Sequence, residues 1–349
     1  MMGVREEYYT RKSRFIIILF LLFIILALTL ALSLTTGSTG FSFTNPLSLM
    51  FKVVKGGHLT PDERVQLYIR IPRTLTALAV GALLAVSGVL IQSITRNPLA
   101  EPFLLGLSSG ALVFVCLSVL VTPVILCYRY LLALTAFTGA MIALVLTFII
   151  SEIAGATVTS LILAGIAVTS LFSGLSHILT FLVQMKLNRP FMILLLGSFS
   201  TSMLSDIPLL YTVLFLGFIM AMLMAKRLNA IMFGDEHSLQ LGYNPTTTRR
   251  LSVILVSFMT GTTVAIAGII GFIGLVIPHI SRLIIGSDNR FVIVYSALIG
   301  AIVLCLTDVA VRVLSLLYGV GELPVGAITS MFGAPFFIYL VVSRLRGRV

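Results

Sequence analysis

The chain has 349 residues, a formal net charge of +11, 58% hydrophobic side chains and only 10% charged ones. That balance excludes a soluble globular protein, which could not keep so much apolar surface out of water. The basic excess, which in a soluble chain would raise nucleic acid, here points to membrane topology and anionic lipid, and no nucleic-acid partner is expected.

Runs of about 18 or more apolar residues cross the roughly 30 Å hydrocarbon layer as helices, at about 1.5 Å per residue. Residues 1–14 place Arg5, Arg11, Lys12 and Arg14 ahead of the first such run, at 15–34. The run is too long for a signal-peptide core and has no clear small-residue cleavage site, so it reads as a retained span entered from the cytoplasm. Further spans fall at 72–94, 103–126, 131–150, 161–181, 208–225, 251–270, 275–286, 291–311 and 326–343. None shows strand-like polar alternation, so the fold class is an all-α polytopic membrane protein with about ten transmembrane helices per subunit. The eighth, within GLVIPHISRLIIG, contains Pro278 and is too short to cross unaided. With ten crossings both termini lie inside together with the larger share of the basic residues, so this segment is expected to cross under the shelter of protein.

The loop before the second span gathers Lys52, Lys55 and Arg64, and Arg70 and Arg73 follow at the span's start. Orientation rules do not call for cations on that side. Either the long loop is translocated regardless of charge, or it awaits an acidic partner outside. Cys116, Cys127 and Cys305 are far apart and read as packing residues. His58, His177, His237 and His279 are scattered without a second ligand at metal spacing, so no metal site is expected.

GALLAVSGVLIQSITRNPLAEPFLLG (81–106) and GTTVAIAGIIGFIGLVIPHISRLIIG (261–286) align without gaps, matching Gly81 with Gly261, Gly88 with Gly268, Pro98 with Pro278 and Gly106 with Gly286. Five spans per half would invert one half relative to the other, and Gly/Pro-broken inverted repeats recur in transporters. The expectation is one domain over 1–349, with halves at about 15–181 and 208–343. The glycines also have a plainer use, letting helices approach closely.

The break in this apolar pattern is AKRLNAIMFGDEHSLQLGYNPTTTRR, at 225–250. LNAIMFGDEHSLQLG reads as a short helix with an apolar side, stopped by Gly242, and Asn244–Pro245 opens a second helix. It is either a solvated connector or a surface for the groove of a soluble partner. Phe233 and Met232 favour the partner.

Phosphate-loop spacing is absent, so this chain is not expected to hydrolyse ATP or to be an enzyme. Glu101 and Glu152 fall at span ends, and Asp308 can pair with Arg312 four residues on. That leaves little to bind a driving ion, which weighs against the alternative of a secondary active transporter with inverted repeats.

RIPRTLTALAVGALLAVSGVLIQSITRNPLAEPFLLG (70–106), LILAGIA (161–167), GFIGLVIPHISRLIIGSDNR (271–290) and ELPVGAITSMFGAPFFIYL (322–340) resemble the signature segments of the iron-chelate/cobalamin/haem permease family of ABC importers, the FecCD type. The resemblance runs from about residue 60 nearly to the end. It implies a homodimeric permease in a prokaryotic cytoplasmic membrane, two cytoplasmic ATPase subunits that bind the ATP and magnesium, and one solute-binding protein outside, with no cofactor in this chain. The implied cargo is an iron–siderophore, haem or cobalamin. By the same resemblance Arg70, Arg73 and Arg312 meet acids of the binding protein. Asn97, Leu99, Val158 and Thr159 belong to the cytoplasmic gate, although Val158 stands where a relative carries a hydroxyl. The ATPase-coupling loop, 226–250, centres on Phe233, Gly234, Asp235, Glu236, Leu239, Leu241, Gly242 and Asn244.

Overall fold

The computed structural model of the chain describes residues 4–37, 40–41, 48–49, 51–52, 55, 57–155, 158–188, 196–319 and 321–345. Among these, eight helices are long and apolar enough to cross a membrane, and two shorter apolar ones complete the ten read from the sequence. In chain order the helices are α1 (Val4–Thr35), α2 (Pro61–Val65), α3 (Ile71–Thr95), α4 (Leu107–Val121), α5 (Arg129–Ile153), α6 (Val158–Leu187), α7 (Asp206–Met232), α8 (Asp235–Gln240), α9 (Pro245–Ala267), α10 (Ile273–Ile285), α11 (Asn289–Tyr318) and α12 (Val325–Leu345). A two-residue hairpin after α1 pairs Thr36 with Phe41 and Gly37 with Gly40.

The bundle is built around α3. A helix that is apolar or small on every face belongs in a core, and 94% of the most apolar stretch leading through α3 is buried, against 6% for α1 at the lipid edge. α3 packs against α7, α9, α10 and α11, while α4, α5 and α6 pack on one another and join the centre through α9. Two of its glycines make the closest crossings. A methyl on Gly81 would strike the Gly300 carbonyl of α11, and one on Gly88 would strike the Gly274 carbonyl of α10. The plainer use foreseen for these glycines is therefore realised.

The short eighth span is sheltered as its composition requires. α10 has 13 residues and buries Ile273, Gly274, Leu275, Ile277, Pro278 and Ser281. Proline removes the N–H that would bond the carbonyl four residues back, here that of Gly274. Gln92 on α3 supplies the missing donor, with Nε2 at 3.2 Å from the Gly274 and Leu275 carbonyls. The residues aligned as a repeat do not share one secondary structure, however. Residues 81–95 are continuous helix, whereas 268–272 unwind ahead of α10, with φ of 74° at Gly268 and 68° at Phe272. Pro98 lies in a turn and Pro278 inside a helix.

α3 runs between two polar ends. The ends of α7 and α3 and the starts of α9 and α11 share one of them: Arg96 bonds the Ile231 carbonyl, and Asn289 N donates to Asn229 Oδ1 at 2.8 Å. Because α9 starts and α10 finishes at this same end, α9 and α10 form a down-and-back pair, as ten crossings demand.

Candidate functional site

The end where α3 begins is a cluster of buried charge. Arg73 gives Nε and Nη2 to Asp308 of α11 at 2.9 and 2.8 Å, and Nη1 to both oxygens of Glu322 at 2.8 and 2.7 Å. Arg312 reaches the same Asp308 at 3.0 Å. It also donates to the Ser33 and Thr36 carbonyls at 2.8 and 2.5 Å and to Ser33 Oγ at 2.6 Å. Arg70 donates to the Thr35 carbonyl at 2.8 Å and the Gly40 carbonyl at 3.0 Å. By resemblance these three arginines meet acids of a binding protein; in this chain all three are at least 95% buried and make the bonds above within the chain itself. The reason is physical, since a charge taken out of water has to be paired or hydrogen-bonded where it lies. The i,i+4 pairing of Asp308 with Arg312 was readable from the sequence, but its sharing with Arg73 was not. At this end the exposed basic groups include Lys55 and Arg64. Lys52 is held by Glu63 at 2.8 Å. That hydrogen bond, followed by one from the Thr60 backbone, holds the Glu63 carboxyl below its ordinary range.

The opposite end carries the polar segment. α7 runs on through Leu228 and Ile231, both fully buried, and stops at Met232. The short helix is therefore only Asp235–Gln240, shorter than the 228–242 stretch read from sequence, because tertiary packing claims its first third for α7. Gly234 makes the corner with φ 125°, and Gly242 ends the segment with φ 79°. Asn244 caps α9, its side chain accepting the Thr247 N–H at 3.1 Å, with Pro245 in the first turn. Ser238 faces inward and is fully buried. The opposite side presents Phe233 at 78% exposure, Leu239 at 57% and Leu241 at 54%. Glu236 is also exposed and records no ion pair among the described residues. An open notch of about 490 Å³ lies against this surface, lined by Arg96, Phe233, Gly234, Asp235, Glu236, His237 and Gln240.

Asp235 differs from its neighbours. Arg249 of α9 donates to it from Nη1 at 3.0 Å and Nη2 at 2.8 Å, and Arg96, the residue after α3, also pairs with it. Nothing local in the sequence marks Arg249 or Arg96 as a partner of Asp235. The only available sign was the excess of cations around a single acidic pair. Beyond Arg96, the buried Asn97 accepts the Leu99 N–H on its Oδ1 at 3.0 Å, which fixes the turn between α3 and α4. In the same turn Glu101 is 3% exposed. Burial pushes its carboxyl up to about 8, against the opposing effect of a hydrogen bond from the Phe272 backbone. Of the second expected gate pair, Val158 opens α6 and Thr159 is exposed. Ser160 ties that start back to α5, its Oγ 3.2 Å from the Ser151 carbonyl.

Ten apolar helices among the described residues, with one buried ionic end and one exposed, apolar-tipped end, define a polytopic membrane protein. The FecCD transport family model matches residues 23–343, and the chain belongs to that family. It is 39% identical over 281 residues to an iron chelatin transport system permease protein of Helicobacter pylori, covering 80% of this chain and 83% of that one. It is 35% identical over 288 residues to the hemin transport system permease protein of Yersinia pestis, covering 81% and 85%. Among solved structures, an inward-facing metal-chelate type ABC transporter superposes with a TM-score of 0.75 at 30% identity, covering 93% of this chain and 99% of that one. The chain is thus a permease subunit of the ABC-transporter type.

Proposed function

We propose that this chain forms the translocation pathway of an ATP-driven importer for a metal chelate of the iron–siderophore, haem or cobalamin class. Two copies enclose the pathway. A solute-binding protein delivers the cargo on one side, and two ATPase subunits, which hold the ATP and magnesium, drive it from the cytoplasmic side, where both termini lie. The observation that carries the reading is the apolar tip of the 233–244 segment. Leu239 on the short helix α8 and Phe233 and Leu241 flanking it are exposed while Ser238 on the other side is packed down, and large apolar side chains held out in this way suit a groove in a soluble partner. Gly234, Glu236, Gly242 and Asn244 shape and flank that tip. Turn 97–99 and the start of α6 at 158–159 serve as the gate facing the same side. The binding protein docks at the opposite end, on the face that Arg70, Arg73 and Arg312 brace from within, with Arg64 and Lys55 as its exposed cations.

The test pairs Phe233→Asp with Leu239→Asp in a complex purified through this chain and reconstituted with its ATPase subunits and binding protein. The expected result is loss of the ATPase from the purified complex and loss of ATP-dependent uptake, measured separately with ferric siderophore, haem and cobalamin. Uphill uptake by the wild-type chain alone, driven by an ion gradient, would establish a secondary transporter instead.

A further inference from the structure

One carboxylate joins the polar segment to the gate turn. Asp235 lies on the six-residue α8, yet both of its oxygens are engaged by guanidinium groups from elsewhere: Arg249 on α9 takes both, and Arg96 adds a second bond to Oδ1. Arg96 adopts the left-handed conformation, φ 50°, and closes α3 with its backbone N–H on the Gln92 and Ser93 carbonyls. Its Nε binds the Ile231 carbonyl near the end of α7 at 2.8 Å. The next residue is Asn97, whose side chain holds the Leu99 N–H. The ends of α3 and α7, the start of α8 and the first turns of α9 are therefore joined through Arg96, Asp235 and Arg249, and Arg96 is one peptide bond from turn 97–99.

The surroundings separate this role from partner binding. Phe233, Glu236, Leu239 and Leu241 are exposed and record no ion pair among the described residues, whereas Asp235, half-buried at the edge of the notch, has both oxygens held by Arg96 and Arg249. Its side chain is 45% exposed, and those of Arg96 and Arg249 are 36% and 33%. Ion pairs this wet add little to stability, so their effect lies in geometry. Two cations also share this one anion. Neutralising it leaves two guanidinium groups facing each other, and the nearby Arg249 charge already disfavours the Arg96 charge, after the larger effect of burial.

We propose that Asp235 is a positioning residue that transmits movement of the ATPase-bound segment to turn 97–99 through Arg96, and is not itself a contact for the ATPase. The proposal rests on the reading of 233–244 as the ATPase-docking segment. Its test uses the complete complex carrying Leu99→Cys as a reporter in a chain whose exposed Cys127 is changed to Ser, with the rate of maleimide labelling of this chain read in the presence and absence of ATP and vanadate. ATP should change that rate in the reporter complex. With Asp235→Asn added, the ATP-dependent change should shrink by about tenfold, the usual scale of a coupling between sites, while the ATPase subunits still co-purify and hydrolyse ATP. Arg96→Gln should do the same, the two changes together should add nothing further, and Asp235→Glu should restore the response.

Loss of the ATPase from the Asp235→Asn complex would make Asp235 a docking contact and overturn the proposal. An undiminished response, or a reporter that ignores ATP altogether, would overturn it as well. Failure of the underlying reading shows separately, as retention of the ATPase by the Phe233→Asp, Leu239→Asp complex.

Discussion

Asp308 is fully buried and is shared by Arg73 and Arg312, so it is the residue on which the charged end of the bundle depends. Removing one partner of a buried ionic group strands the others, at a cost of about 3–5 kcal/mol. Asp308→Ala is expected to lower the thermal midpoint of the detergent-solubilised protein sharply. Glu322 meets the same Arg73, but its side chain is 25% exposed, and losing such a rim contact costs under about 1 kcal/mol. Glu322→Ala should therefore shift the midpoint only slightly; equal effects from the two changes would show that the charge balance of the cluster, not burial, sets its stability. Spacing along one helix made Asp308 and Arg312 readable as a pair. No local signal could reveal Arg73, which reaches Asp308 across 235 residues of chain. The same limit hid Gln92: the proline at 278 announces a carbonyl without its donor, but only the packing of α3 on α10 shows which side chain supplies one.

At the scale of elements, helix positions followed from hydrophobic runs because lipid leaves the backbone few other conformations. Their ends did not, because packing decides them. Residues 228–232 read as the start of a separate short helix, yet they continue α7, whose buried face includes Leu228 and Ile231. The breaks were only half visible as well. Glycine and proline marked 261–286 as irregular, but unwinding settles at 268–272, after the end of α9 and before the Gly88–Gly274 crossing. That crossing yields a prediction. Gly88→Ala places a methyl against a backbone carbonyl that has no rotamer with which to yield. It should cost at least about 2 kcal/mol, in the range of overpacked cores, and reduce the monodisperse fraction on size-exclusion chromatography. Gly174→Ala in α6, where the added methyl meets open space, should leave the same profile unchanged; a normal profile for Gly88→Ala would mean that α3 and α10 are less closely packed than their backbones indicate.

At the scale of the whole molecule, the ten-crossing path and the two polar ends together imply an orientation that the chain's own thiols can report. If the 233–244 segment meets an ATPase in the cytoplasm, then the end of α7, the turn after α3 and both termini are cytoplasmic, and the connection between α4 and α5 lies outside. That connection contains Cys127, which is exposed, whereas Cys116 and Cys305 are buried within the bundle. Exposed thiols react and buried ones are shielded, because reaction requires both thiolate formation and access. A membrane-impermeant maleimide applied to sealed membranes with the native outer face outward should label Cys127, and Cys127→Ser should abolish the signal. Everted vesicles should leave the protein unlabelled until they are opened with detergent. The reverse pattern would place the α4–α5 connection in the cytoplasm. It would also put the 233–244 segment outside, beyond reach of any ATPase, and so remove the basis for reading Phe233, Leu239 and Leu241 as its docking surface.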